Sequence, residues 1–482
     1  MSDPVIHGLT VFAQSIAAFV VVTGLLQNLV YLVQLALAAA ALIQTPPTPS
    51  GGLLWRRYAD ASPPIALLAP AYNEAMTIAE SVHSLLSLHY PSFEVIVIND
   101  GSSDGTLQVL IDSFGLRPIE RHYDLSIDHK PVRGVYGGEH QPRLIIVDKE
   151  NGGKADALNA GINVSRAPIF CSMDADSLLE PDALLRAVRP FVEDPERTVA
   201  VGGTVRIANG CRIEHGRVLE IRPPRNLLAQ LQTVEYLRAF LMARLAWSRI
   251  NTLTIISGAF GLFRRNRVIE AGGYTRGTVG EDMELVVKLH RLMRDKGLPY
   301  RVAFVPEPVC WTEAPETLRV LGRQRARWHR GSLETFERHW DMIFRRKYGR
   351  VGVVGFGYIF LVDVLGPIVE LLGYFLIPLF WLTGLLSSEY LLAFIAVTFI
   401  FGVVISVGSL ALEESSLRRF PRARDLMQLT LVAILENFGY RQLNNFWRLR
   451  GVWQYLRRSQ SWGAMTRKGF GAPAARPGAS VP

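Results

Sequence analysis

From Val11 to Ile43 the chain is one long apolar run, interrupted by Gln14, Gln27, Asn28 and Gln34. No other feature restricts the fold as much. Lipid offers a bare backbone no hydrogen-bond partner, so such a run crosses a bilayer as a helix. Roughly 20 residues suffice for one crossing. Pro46-Pro47-Thr48-Pro49 ends the run and Trp55-Arg56-Arg57 follows it. Residues 1–10 hold no Lys or Arg, so the basic start of a cleaved signal peptide is missing. Basic residues on the far side only set the N-terminus outside and residue 55 onward in the cytoplasm. Apolar sequence returns after Lys347. Val351–Leu386 is too long for one simple span, and Gly366-Pro367 is expected to divide it into an interfacial stretch and a crossing helix. Leu391–Leu412 reads as a second clear span. Leu426–Trp447 is long enough to cross but carries Glu436, Asn437, Arg441 and Asn444. Arg418, Arg419, Arg422 and Arg424 precede it, and Arg448, Arg450, Arg457, Arg458, Arg467 and Lys468 follow. Two basic flanks favour a segment lying along the membrane or lining a polar path.

Composition agrees with a membrane protein. Of the 482 residues, 49% are hydrophobic, and the net charge is +9. That excess is the ordinary basic bias of cytoplasmic loops. A nucleic-acid reader would need a basic face with interleaved aromatics, and no such module is visible. Cys171, Cys211 and Cys310 are far apart and odd in number. They form neither a zinc spacing nor a disulfide framework, which fits reduced thiols in a cytosolic domain. The histidines show no zinc-type cluster.

Between the apolar ends the pattern changes. Short apolar strands at Ile65–Ala69, Val95–Ile98, Leu144–Val147 and Pro168–Met173 alternate with helices at Ile78–Ser87, Asp104–Phe114, Lys154–Val164 and Pro181–Phe191. Such alternation implies an α/β domain with a mostly parallel sheet. Leu116–Arg143 is polar and rich in Gly, Pro and His, and reads as a long loop or hairpin insert. Further on, Val199–Ile207, Leu253–Phe263 and Tyr300–Val305 read as strands. Leu227–Trp247 and Glu281–Arg294 read as helices.

The chemistry-bearing residues cluster at strand ends, the ligand edge of an open α/β sheet. Asp174 and Asp176 are two apart in extended chain and so point to one side. Paired oxygens there suit a hard cation such as Mg²⁺, although an isolated Asp-x-Asp is often just a solvated turn. Pro70-Ala71-Tyr72-Asn73-Glu74 follows the first strand. Asn99-Asp100-Gly101-Ser102 follows the second, where turn and cap chemistry is the bland alternative. Gly152-Gly153-Lys154 opens a helix, a place suited to phosphate. Gly280-Glu281-Asp282 opens another. Acids there complement the helix dipole, or Asp282, with Glu281 beside it, is a general base. Arg323-Gln324-Arg325-Ala326-Arg327-Trp328 offers side chains suited to a diphosphate and a sugar face, or to anionic lipid.

Taken together and in this order, the Asp-x-Asp, Gly-Glu-Asp and Gln-x-x-Arg-Trp motifs resemble the processive family-2 glycosyltransferases of inner-membrane polysaccharide synthesis. Poly-N-acetylglucosamine, hyaluronan and cellulose synthases are examples. The resemblance covers about residues 65–332 and extends more loosely to Trp462–Phe470. It implies a GT-A-type nucleotide-sugar-binding domain flanked by transmembrane and interfacial helices. The corresponding units are a transmembrane helix (1–45), a linker (46–62), the catalytic domain (63–345), a C-terminal membrane domain (346–447) and a basic tail (448–482).

Carried over by residue, the resemblance implies that Ala71, Tyr72, Glu74 and Asp100 hold the nucleoside and Lys154 the diphosphate. Asp174 and Asp176 hold the sugar nucleotide and its Mg²⁺ or Mn²⁺. Ser257, Gly258, Ala259 and Phe260 lie under the acceptor sugar, Asp282 is the base, and Gln324, Arg327 and Trp328 grip the diphosphate and acceptor end. It further implies an inverting hexosyltransferase using UDP-N-acetylglucosamine or UDP-glucose and extruding a β-linked polymer. Single transfer to a lipid-linked acceptor and a nucleotide-sugar-binding pseudoenzyme are the alternatives. The expected partners are the UDP-sugar, the growing polysaccharide or lipid-linked acceptor, membrane lipids and a small accessory membrane subunit, with no nucleic acid. The expected location is the bacterial inner membrane, multi-pass, with the catalytic domain cytoplasmic. Two departures stand out. Asn99 replaces the first of two usual acids, and Ile256-Ser257-Gly258-Ala259-Phe260 replaces the Phe-Phe-Cys-Gly-Thr stretch of bacterial cellulose synthases, which argues against cellulose.

Overall fold

A computed structural model describes residues 3–44, 51–175, 177–214, 216–417 and 422–458. Asp176, Pro46–Pro49, Arg418–Pro421 and the tail with Trp462–Phe470 lie outside the described residues. The strands are β1 (Ile65–Ala71), β2 (Phe93–Asp100), β3 (Arg117–Pro118), β4 (Val132–Gly138), β5 (Gln141–Lys149), β6 (Ile169–Ser172), β7 (Leu178–Leu179), β8 (Thr198–Ile207), β9 (Arg212–Glu214), β10 (Arg217–Glu220), β11 (Gly261–Arg264) and β12 (Arg301–Thr312). Ten of them form one sheet in the order β3-β4-β5-β2-β1-β6-β11-β8-β12-β7. Strands β5, β2, β1, β6, β8 and β12 run in one direction, and β11 runs against its neighbours β6 and β8. The parallel centre explains the sequence of β1 and β2. Ile65, Leu67, Leu68, Val95, Ile96, Val97 and Ile98 are all fully buried, as strands covered on both faces require.

Of the two readings of Leu116–Arg143, the hairpin is the one found: β3 and β4 join the sheet edge, and β4 pairs antiparallel with β5. The strand expected over Leu253–Phe263 is confined to Gly261–Arg264. The chain before it is irregular, because Gly258 must pass close to two side chains of the site described below. The helix from Leu227 runs to Arg249 through a π-helical stretch, Leu237–Arg244.

Among the described residues three helices are long and apolar enough to cross a membrane: Pro4–Gln44, Val351–Leu382 and Ser388–Ser416. The expected break at Gly366-Pro367 is absent, and the helix is continuous from Val351 to Leu382. Pro367 follows a π-helical stretch, Ile359–Leu365. The wider turn absorbs the N–H and space that proline denies an ordinary helix. By contrast, Leu426–Trp447 is not one segment. It divides into Ala423–Leu435 and Tyr440–Leu456, with Gly439 between them at φ +101°, a backbone state that favours glycine.

The helix Tyr440–Leu456 lies along Leu318–Arg338, the helix of the Gln-x-x-Arg-Trp motif. Glycines let the two approach closely. A Cβ on Gly322 would sit 2.6 Å from Trp447 Nε1, and one on Gly451 would sit 2.6 Å from the Ala326 carbonyl oxygen. Overpacking of this kind costs about 1–3 kcal/mol. Gly451→Val should therefore lower the unfolding temperature in detergent, whereas Gly105→Ala should not, since nothing lies within 4 Å of a Cβ there.

Candidate active site

The site forms where the ends of β1, β2, β5 and β6 meet the start of the helix Glu281–Asp295. Asp282 stands in the first turn of that helix. Its Oδ2 accepts a hydrogen bond from the Gly258 backbone N–H at 3.0 Å, and its Oδ1 accepts from the Met283 N–H at 2.8 Å. Gly258 is boxed in: a Cβ would lie 2.7 Å from Lys154 Nζ and 3.6 Å from Asp282 Oδ2. The helix start is pinned to the Gln-x-x-Arg-Trp helix by two glycines, since a Cβ on Gly280 would fall 2.8 Å from Gly331 Cα. Glu334 latches the same junction, accepting from Thr278 Oγ1 at 2.7 Å and from the Val279 N–H at 3.1 Å.

Lys154 joins the two halves of the site. Its Nζ lies 2.5 Å from Asp174 Oδ1 and 3.8 Å from Glu281 Oε1, and contacts the Gly258 carbonyl at 3.4 Å. Burial alone would lower the Lys154 ammonium, but the Asp174, Glu281 and Asp282 carboxylates outweigh it and hold the group above its usual range. Burial pushes the Glu281 carboxyl up to about 7. Lys154 opposes this and Asp282 adds to it.

These groups line a cavity of about 1330 Å³. Lys154, Asp174, Ser257, Gly258, Ala259, Glu281, Asp282, Gln324, Arg327 and Trp328 all stand on its wall. Gln324, Arg327 and Trp328 follow the i, i+3, i+4 spacing of one helix face. Arg325, on the same cavity wall, pairs with Glu235 at 2.7 Å, where Tyr440 also donates at 2.7 Å. The cavity continues past Trp328 to Tyr31, Gln34, Asp363 and Arg448, on or beside the membrane-type helices.

The remaining expected residues fall elsewhere. Ala71, Tyr72, Glu74 and Asp100 sit at the ends of β1 and β2, outside the cavity wall. Tyr72 is exposed there, while Ala71 is buried. Phe260 is fully buried in the core, where the turn from Ser257 into β11 directs its ring inward. Asp100 is engaged within the protein. Its Oδ1 accepts from Lys149 Nζ at 2.7 Å and from the Gly152 N–H at 3.0 Å, and its Oδ2 accepts from the Gly153 N–H at 2.7 Å. The carboxylate shapes the turn that leads into Lys154.

Sequence reasoning missed the buried partners of that turn. Lys149 is fully buried between Asp100 and Asp156, 2.7 and 2.6 Å away. Asp156 also accepts from the Lys130 N–H and from Arg276 at 3.3 Å. The only available signal was a lysine ending an apolar strand. The register explains Asn99 as well. Asn99 pairs with Asp148 across β2 and β5, and its Nδ2 donates to Asp148 Oδ1 at 2.7 Å. An acid at 99 would set two carboxylates against each other in a buried site. Asn73, also unremarked in sequence, ties the first two loops together: its Oδ1 accepts from the Ser103 N–H at 2.9 Å, and its own N–H donates to Ser102 Oγ at 3.0 Å.

The donor chemistry suits a hard divalent cation. Among the described residues no three His, Cys, Asp or Glu side chains group as a ligand set. Asp174 is 35% exposed at the cavity edge, with Lys154 on only one of its oxygens. A cation that takes one or two carboxylates and completes its shell with water and phosphate fits such a place.

Two comparisons of sequence and one of structure bear on this arrangement. Residues 67–125 match the model of glycosyl transferase family 2, and residues 169–408 match that of glycosyl transferase family group 2. Poly-beta-1,6-N-acetyl-D-glucosamine synthases of Staphylococcus epidermidis and Staphylococcus aureus are 30% identical over 285 and 284 residues. The match covers 59% of this chain and spans 58% of each relative's length. A mannosyltransferase from Pyrobaculum calidifontis, solved in complex with GDP-Man and Mn²⁺, has a TM-score of 0.54 at 18% identity. That likeness covers 92% of this chain and 99% of the other, and it shows a shared fold. The two matched stretches contain Asp100, Asp174, Asp282 and the Gln-x-x-Arg-Trp helix, and the chain belongs to glycosyltransferase family 2.

Proposed function

We propose that the protein polymerises a β-linked polysaccharide from UDP-N-acetylglucosamine at the cytoplasmic face of a bacterial inner membrane and passes the product outward. One observation carries this reading: a single cavity runs from Asp282, Lys154 and Asp174, past Gln324, Arg327 and Trp328, to the membrane-type helices. The 30% identity to poly-beta-1,6-N-acetyl-D-glucosamine synthases supports the choice of sugar. Basic residues beside the apolar helices, Arg56, Arg57, Arg422 and Arg424, support the cytoplasmic orientation.

The reaction is an in-line displacement. The acceptor hydroxyl oxygen forms a bond to the anomeric carbon as the bond from that carbon to the diphosphate oxygen breaks. Asp282 takes the hydroxyl proton, held for this by the Gly258 N–H. Attack opposite the leaving group inverts the centre, so an α-linked donor gives a β-linkage. Lys154 and Arg327 offset negative charge on the departing UDP. Asp174 and Asp176 would hold a divalent cation, which when bound supplies further positive charge to the diphosphate. Glu281, buried behind Lys154, tunes the charge of that lysine rather than reaching the acceptor.

Purified protein with UDP-N-acetylglucosamine and Mg²⁺ or Mn²⁺ should release UDP and give long product on a gel. A single glycolipid species would overturn the polymer. Asp282→Asn should lose about 100- to 10,000-fold in UDP release, and an unchanged rate would remove Asp282 as the base.

Glu281 gives a pH-dependent prediction. Its folded value, about 7, lies above the ordinary 4.5. Its protonated form therefore stabilises the fold at low pH, and that contribution is lost as pH rises from about 4.5 through 7. Glu281→Gln lacks this loss. The Tm of Glu281→Gln minus that of wild type should become more favourable to the variant from pH 5 to pH 8, as read by thermal unfolding across that range.

A further inference from the structure

Arginines at the seam between the sheet domain and the membrane-type helices carry carboxylate partners. Arg325 lies 2.7 Å from Glu235, Arg441 3.1 Å from Glu370 and Arg448 2.6 Å from Asp363. Arg238 pairs with Glu436, and Arg206 with Glu413. Arg244 is different. It has no ion-pair or hydrogen-bond partner among the described residues, and its Nη1 is buried without one. The side chain is half-buried, and a guanidinium N–H group shut away from water without an acceptor is costly.

The surroundings show what would complete it. Arg244 stands on the wall of the cavity that holds Asp282. Its guanidinium lies over the Phe240 ring, 3.7 Å from the centroid. Stacking fixes the plane of the fork and leaves its N–H edges for hydrogen bonding. Burial pushes the group down to about 10, with Asp282 and Tyr236 opposing, so it remains a cation at neutral pH. It ends the π-helical stretch Leu237–Arg244, and such stretches gather at functional sites.

Its place on the helix separates the acceptor side from the donor side. Arg238, earlier on that helix, binds Glu436 and Ser406 of the membrane-side segments. Trp247, one turn beyond Arg244, meets Tyr358 edge-on with ring centroids 5.2 Å apart. Arg244 therefore lies toward the membrane helices, while Lys154 and Asp174 mark the diphosphate end. A polyhydroxylated chain leaving the site passes this wall, and its oxygens are acceptors for N–H donors.

We propose that Arg244 binds the acceptor, donating hydrogen bonds to oxygens of the terminal sugar of the growing chain beside Asp282. This rests on the polymerase reading given above. The full chain in lipid nanodiscs is titrated calorimetrically with a soluble β-linked N-acetylglucosamine oligomer, as wild type, Arg244→Leu and Arg244→Lys. The KM for UDP-N-acetylglucosamine is measured on the same samples.

Losing a charged hydrogen-bonding group should weaken oligomer binding in Arg244→Leu by about tenfold or more, with Lys restoring part of it. The donor KM should move by less than about twofold. Equal oligomer affinity in wild type and Arg244→Leu overturns the proposal, as does a wild type that binds no oligomer. A raised donor KM with unchanged oligomer affinity would reassign Arg244 to the diphosphate and overturn it too. Where Arg244→Leu does not elute as folded protein, Arg244→Gln against Arg244→Lys gives the same comparison. Failure of wild type to release UDP counts against the polymerase reading alone, because the oligomer titration needs no turnover.

Discussion

The hydrogen bond from the Gly258 N–H to Asp282 is the contact on which the site's geometry depends. It joins an irregular segment before β11 to the first turn of a helix, and Lys154 closes the same corner from a third element. A Cβ on residue 258 would displace the Lys154 ammonium from this corner. On the other side, Gly280 and Gly331 let the same helix start rest on the Gln-x-x-Arg-Trp helix. The helix of Asp282 thus meets the helix of Arg327 where two glycine backbones touch.

Charge is managed differently in two layers. Behind the cavity, Lys149, Asp100, Asp156 and Asn99 satisfy one another in a buried cluster, as low-dielectric surroundings demand. That cluster shapes the Gly152-Gly153 turn and so aims the helix of Lys154. At the cavity wall, groups are left short of partners: Asp174 keeps one oxygen for a ligand, Glu281 is pushed toward neutrality, and Arg244 is unpaired. Polar groups left incompletely satisfied in an otherwise well-satisfied protein are expected where a ligand completes them.

Much of the fold was legible in the chain. The continuous apolar strands Ile65–Ala69 and Val95–Ile98 could only be central and parallel, and the alternation with helices set their connections. The motifs lay at strand ends, so their meeting at one sheet edge followed from topology. The helix–π–helix continuity through Gly366-Pro367 was not legible, because Gly-Pro pairs usually break helices and only the wider turn reconciles them. Nor was the inward turn of Phe260: an aromatic beside a motif reads alike whether it lines a cavity or fills a core.

The sequence by itself determined the class of protein: apolar ends that cross as helices, an α/β domain between them, and the acids and basic residues of a family-2 transferase in order. Periodicity and motif spacing are local properties, and local sequence carries them. Only the tertiary structure decided which carboxylates stand on the cavity wall. Asp100 and Asp282 look equally available in sequence. Asp100 is buried against Lys149 and two backbone N–H groups away from the cavity wall, whereas Asp282, also held by two backbone N–H groups, stands on that wall. That difference depends on partners 24 to 53 residues away in the chain, and on which of them reach the buried side of the sheet edge first.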